Sequence, residues 1–171
     1  MRLLLLLSLF LIVMDTNAQP RYEQYHDRDT KDLVFKGQLA FEDLEKEPEF
    51  KWYNKGVAEY EPDEAVIAYL KKHLGGYDMV TVLGTWCSDS HDMIPKLYKV
   101  LKLANYRMRR NIIYGLDIEK KGPYKEEEQY GITSVPTIIL YKNGEEAGRI
   151  VETVSASVEA DLKDIIEYYE Q

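Results

Sequence analysis

The stretch Gly84-Thr85-Trp86-Cys87-Ser88-Asp89-Ser90-His91 constrains the chain more than any other. Ahead of it, Met79 to Leu83 is a short, wholly apolar run of the kind that forms a strand covered on both faces. Behind it, Met93, Ile94, Leu97, Leu101, Ala104 and Met108 trace a helical pattern with Pro95 inside it. A strand-to-helix junction therefore falls on Cys87, the only cysteine in the sequence. Unpaired N–H groups and the helix dipole favour an anion at a helix start, and cysteines so placed are often reactive.

The N-terminus places that thiol in a compartment. Arg2, the aliphatic run Leu3 to Met14 and the small residues around Ala18 have the charged, apolar and cleavage-region order of a secretory signal peptide over residues 1–18. The run is short for a membrane span, which needs roughly 20 apolar residues; an uncleaved anchor is the alternative. Cleavage after Ala18 predicts an exported mature chain, periplasmic or secreted, with no membrane segment. Net charge is −8 and no Lys/Arg block is present, which argues against nucleic acid and anionic membrane surfaces as partners. Exported domains with structural disulfides usually carry an even number of cysteines. A lone thiol is instead a buried inert group, an intermolecular partner (a disulfide-linked dimer through Cys87 included) or a reactive group.

Residues 19–38 are polar at first and are expected to begin as a flexible lead-in, with a first strand at Leu33-Val34-Phe35. Phe41 to Leu44 suggests a helical turn. Phe50, Trp52, Tyr53, Val57 and Tyr60 suggest a strand-rich flap, so that residues 19–61 form an extension packed on a main domain at 62–171. Pro62, Asp63 and Glu64 open a helix at its first turn, with Val66, Ile67, Leu70 and Leu74 on its buried face and Gly75-Gly76 as its stop. Ile112 to Leu116 reads as a second buried strand and Lys125 to Tyr130 as a short acidic helix. Asn143-Gly144 between two β-rich runs signals a hairpin, and Ser155 or Ser157 caps a final helix buried through Val158, Leu162 and Ile165. Crossover strands followed by a hairpin imply an α/β domain with a mixed central sheet flanked by helices.

Several of these positions, in this order, resemble the thioredoxin superfamily. Trp86-Cys87 follows a buried strand, as in the family's Trp-Cys-x-x-Cys site; Pro95 stands where the family has its helix-kinking proline. Tyr130-Gly131-Ile132-Thr133-Ser134-Val135-Pro136-Thr137 is similar to the segment with the family's cis-proline, and Lys142 to Glu145 to its hairpin turn. The whole chain is most similar to secreted thioredoxin-like proteins of Bacteroidetes-type bacteria with a Trp-Cys-Ser-Asp-Ser motif. The resemblance implies a thioredoxin fold with an N-terminal extension. It also implies a site built on Cys87, Ser90 and Trp86, with Ser134, Val135 and Pro136 presenting backbone to an extended substrate.

The departures bear on chemistry. Ser90 occupies the family's second-cysteine position, and a hydroxyl cannot resolve a mixed disulfide as a second thiolate does. The family's buried acid falls on Thr81, and its usual glycine at the end of the last strand falls on Glu152, placing a charge on the substrate-facing rim. Cys87 is thus expected to form mixed disulfides with client proteins or low-molecular-weight thiols, which an external thiol must resolve. No cofactor is implied. Asp89 and His91 are possible modulators of the thiol, Asp89 opposing its ionisation and His91 favouring it when protonated or acting as a base when neutral; the alternative is that His91 is a solvated first-turn residue. Two further readings stay open: a non-enzymatic peptide-binding module using the Pro136 edge, and Cu(I) or Zn(II) binding by Cys87, Asp89, His91 and Asp92 with ligands from elsewhere.

Overall fold

A computed structural model describes residues 21–171; the signal-peptide assignment to residues 1–18 lies outside them. Among the described residues six strands form one sheet in the order β1-β2-β4-β3-β5-β6. These are β1 (Tyr22–His26), β2 (Leu33–Leu39), β3 (Asp78–Leu83), β4 (Asn111–Gly115), β5 (Thr137–Lys142) and β6 (Glu145–Val151). β3 pairs with β4 in parallel and every other pairing is antiparallel, so the sheet is mixed, as expected.

The period-2 alternation of β3 explains why its sequence is apolar throughout. Met79 and Leu83 join the larger core with Ile113 of β4 and Ile138 and Leu140 of β5. Val80 and Val82 point the other way, into a smaller cluster with Leu116, Ile132, Val135 and Ile139. The larger core is closed by α1 (Phe41–Lys46), α2 (Lys51–Glu59), α3 (Glu64–His73), α4 (Ser88–Leu103) and α6 (Val158–Tyr169). The smaller is covered by residues 116–136, which hold the short α5 (Glu126–Gln129).

Two expectations for the N-terminal part change. Tyr22–His26 is a strand, not a flexible lead-in: it pairs along β2, and Tyr22 stacks on Phe35 with ring centroids 4.7 Å apart. Its mostly exposed, polar side chains suit an edge strand, which is why no apolar pattern marks it. Residues 51–59 are helix, not a strand-rich flap. Phe50, Trp52 and Tyr53 have high β propensity, but Phe50, Tyr53 and Val57 recur at helical spacing, and the spacing prevails. Gly56 lets α2 lie against α4, since a Cβ there would come within 2.8 Å of the Pro95 side chain. The strand expected at Leu33-Val34-Phe35 is β2, which pairs with β4 inside the sheet.

Smaller differences have simple causes. The cap of α3 is Asp63, whose carboxylate accepts from the N–H groups of Ala65 and Val66, so Pro62 lies just before the helix. Met108 falls in a separate 3-10 turn after α4 ends at Leu103, leaving a break at Asn105 with φ +55°. Ile112 is half-exposed, because only its neighbours Asn111 and Ile113 point into the larger core side of β4. Asn143 and Gly144 both have positive φ, the geometry of a two-residue hairpin turn. Ser157 caps α6 by accepting from the Ala160 N–H.

Candidate functional site

The thiol site is built where β3 passes into α4. Gly84 has no Cβ, and one placed there would meet the Trp86 indole at 2.7 Å. The indole therefore folds back over the strand end and donates from Nε1 to the Leu116 carbonyl at 3.0 Å. The Cys87 N–H donates to the Gly84 carbonyl at 3.0 Å, which closes the turn and brings Cys87 to the N-cap of α4. Its own carbonyl accepts from the His91 N–H at 3.0 Å, the first bond of the helix.

The half-buried Cys87 side chain makes no cap bond; its Sγ donates to the Val135 carbonyl at 3.3 Å. The Val135–Pro136 peptide is cis. This segment is pinned on both sides: Thr137 Oγ1 donates to the Ser134 carbonyl at 2.7 Å, and the Glu152 N–H donates to the Pro136 carbonyl at 2.7 Å. Cys87, Trp86 and Val135 thus meet, Trp86 and Cys87 packing against the cluster that holds Val135.

Ser90 points elsewhere. It is wholly buried, and its Oγ accepts from the Gly84 N–H at 3.2 Å, so the hydroxyl ties the turn together behind the thiol. Asp89 is exposed on the first turn of α4. With Tyr60, Met93, Val154 and Glu152 it lines a groove of about 300 Å³ that runs past the thiol's helix. Glu152 occupies this rim with φ +64°, a left-handed conformation that favours glycine. Asp92, also on the groove, pairs with Lys96 at 2.8 Å.

His91 is half-buried, not a solvated first-turn residue. Its Nε2 donates to the Thr85 carbonyl at 2.7 Å, and its ring stacks on Trp52 of α2 with centroids 4.3 Å apart and planes inclined by 17°. Thr85, also buried, donates from Oγ1 to the Leu33 carbonyl at 2.8 Å and accepts there from the Phe35 N–H at 3.0 Å. Trp52 and Thr85 did not stand out in the sequence as site residues. A polar residue at the end of an apolar strand was the available signal for Thr85, whereas nothing in sequence joins Trp52 to His91.

Below the site, Thr81 is wholly buried and donates from Oγ1 to Asn111 Oδ1 at 2.9 Å, so a neutral pair fills the position of the family's buried acid. Among the described residues no group of three or more His, Cys, Asp or Glu side chains is arranged to hold a metal ion, and Cys87, Asp89, His91 and Asp92 form no such group. Among the same residues no helix is long and apolar enough to cross a membrane.

Comparison with known proteins gives this geometry a family. The thioredoxin family model matches residues 70–167. Thioredoxin of Echinococcus granulosus is 30% identical over 83 residues, covering 48% of this chain and 68% of that protein. A crystal structure of an HIV epitope scaffold superposes with a TM-score of 0.50 at 14% identity, over 68% of this chain and 81% of the other, a likeness of fold alone. Reduced Schistosoma mansoni thioredoxin pre-protein is 26% identical, with a TM-score of 0.38 over 64% of this chain and 94% of that one. A thioredoxin-type domain points to thiol–disulfide redox chemistry. The chain belongs to the thioredoxin family and has its fold, a mixed sheet flanked by helices.

Proposed function

We propose that this chain is an exported, bacterial-type thioredoxin-like protein that works as a monothiol, exchanging disulfides through Cys87 alone. The observation that carries the reading is the pair of roles at the start of α4: Cys87 Sγ lies at the Val135 carbonyl, while Ser90, three residues on, is buried and bonded to Gly84. A client lying along Val135 and Pro136 would bring its sulfur to the thiol.

The reaction balances without a cofactor. The Cys87 thiolate attacks one sulfur of a client or low-molecular-weight disulfide; the Cys87–S bond forms as the S–S bond breaks, and the second half leaves as a thiolate. An external thiolate then attacks the adduct and returns Cys87 to its starting state. Trp86 packs with Cys87 on the cluster that holds Val135, and Ser134, Val135 and Pro136 offer backbone to the client. Asp89 adds a negative charge to the neighbouring groove. The test is trapping of mixed-disulfide partners by native protein and by Cys87→Ser. Adducts that form with the former, vanish with the latter and dissolve on adding thiol support the reading; equal capture by both would overturn it.

The groove past Asp89, Met93 and Glu152 favours one second reading, a binding module that holds peptide without chemistry. It predicts capture that survives Cys87→Ser.

A further inference from the structure

We propose that His91 is a positioning residue for the Cys87 thiol, held by Trp52, so that the N-terminal β2–α2 segment is a working part of the site. This rests on the thiol-exchange reading above. The family match begins at residue 70, so Leu33, Phe35 and Trp52 all lie outside it.

Thr85, two residues before the thiol, is tied at its hydroxyl and at its carbonyl. Its hydroxyl is bonded to β2 through Leu33 and Phe35, and its carbonyl accepts from His91. The Thr85–Trp86 peptide is planar, so fixing that carbonyl fixes the Trp86 N–H antiparallel to it and sets where the chain enters Cys87. His91 can hold the carbonyl only while its own ring is held. Trp52 does this by stacking on one face, and α2 is itself braced on α4 by Gly56 against Pro95 and by Lys99 Nζ donating to the Val57 carbonyl at 3.1 Å.

A carbonyl only accepts, so Nε2 carries a proton in this bond and the ring acts on Thr85 as an N–H donor. What the site needs at this point is an N–H donor at the reach of Nε2. A glutamine amide nitrogen sits at about that reach from Cβ, and an asparagine amide falls one methylene short.

The experiment measures the alkylation rate of Cys87 by monobromobimane at fixed pH in the full chain, with thermal unfolding as the fold control. His91→Asn is expected to slow alkylation about fivefold, the rate equivalent of about one hydrogen bond, while His91→Gln stays within about twofold of native. Equal rates for native, Asn and Gln would overturn the proposal, and so would equally slow Asn and Gln variants, which would assign the effect to the imidazole itself. Should His91→Asn fail to fold, Trp52→Phe and Trp52→Leu take its place: Phe keeps a ring against His91 and the native rate, Leu loses both, and equal rates overturn the proposal. Failure of native protein to form an adduct with glutathione disulfide would sink the exchange reading and leave the alkylation comparison standing.

Discussion

Ser90 Oγ accepts a hydrogen bond from the Gly84 N–H, across the turn whose outer side carries the Cys87 thiol. In a dithiol relative this position holds the sulfur that releases the client. Here it holds the turn, and Gly84 and Ser90 are both buried. Restoring a thiol with Ser90→Cys is expected to shorten the lifetime of a Cys87 mixed disulfide sharply without added thiol, because a resolving sulfur is then three residues away. The same change weakens the bond to the Gly84 N–H and should lower stability by about 1 kcal/mol. Adduct decay by mass spectrometry and a thermal melt check both effects.

Thr85 is the joint between the N-terminal strands and the site. Thr85→Val keeps its shape but removes the partner of the Phe35 N–H and the Leu33 carbonyl. An expected loss of about 1–3 kcal/mol follows from leaving such buried groups unpaired, measurable by urea unfolding.

Glu152 combines a left-handed backbone with a charge on the groove. Glu152→Gly should be neutral to stabilising, because the relief of about 1–2 kcal/mol from a positive φ outweighs the added flexibility of glycine, about 0.5–1 kcal/mol. It should also lower the preference for a cationic over an anionic small disulfide, cystamine over dithiodipropionate, by about two- to threefold at low salt. An unchanged ratio would show that the rim charge does not reach the thiol.

Alkaline stability should fall because the core is rich in buried tyrosine. Burial raises the Tyr53, Tyr60 and Tyr106 hydroxyls above their ordinary value of 10.0. Burial, with the Tyr130 contact adding to it, pushes Tyr114 up to about 12. Above pH 10 the unfolded chain has lost these protons and the folded chain keeps them, so the folded state binds more protons and unfolding becomes easier as pH rises. The stabilisation is fully present below pH 10 and is lost upward from there, for Tyr114 until about 12. A series of melting temperatures from pH 8 to above pH 11 should be flat at first and then decline.

The main domain was legible because its signals are local. The apolar run of β3, the Asn143-Gly144 turn and the Asp63 and Ser157 starts each declare themselves within a few residues. So does the placement of Cys87 at a helix start. In the N-terminal part the strand at Leu33-Val34-Phe35 and the helical turn at Phe41–Leu44 are as expected, whereas residues 22–26 and 51–59 differ because their evidence is tertiary. Tyr22–His26 becomes a strand only by pairing with β2, and α2 is rich in residues that favour strands until it packs on α4. The contacts that complete the site are of the same kind. Trp52 and His91 meet 39 positions apart, and Ser90 turns from the thiol to a backbone N–H that only the folded turn supplies.

The central claim, attack by Cys87 with no internal means of release, is tested most directly by intact-mass measurement after incubation with glutathione disulfide. The account predicts a single glutathionyl adduct on native protein, absent from Cys87→Ser, that persists when excess disulfide is removed and disappears only when an external thiol is added. No adduct on native protein, or an adduct that decays at the same rate with and without added thiol, would contradict it.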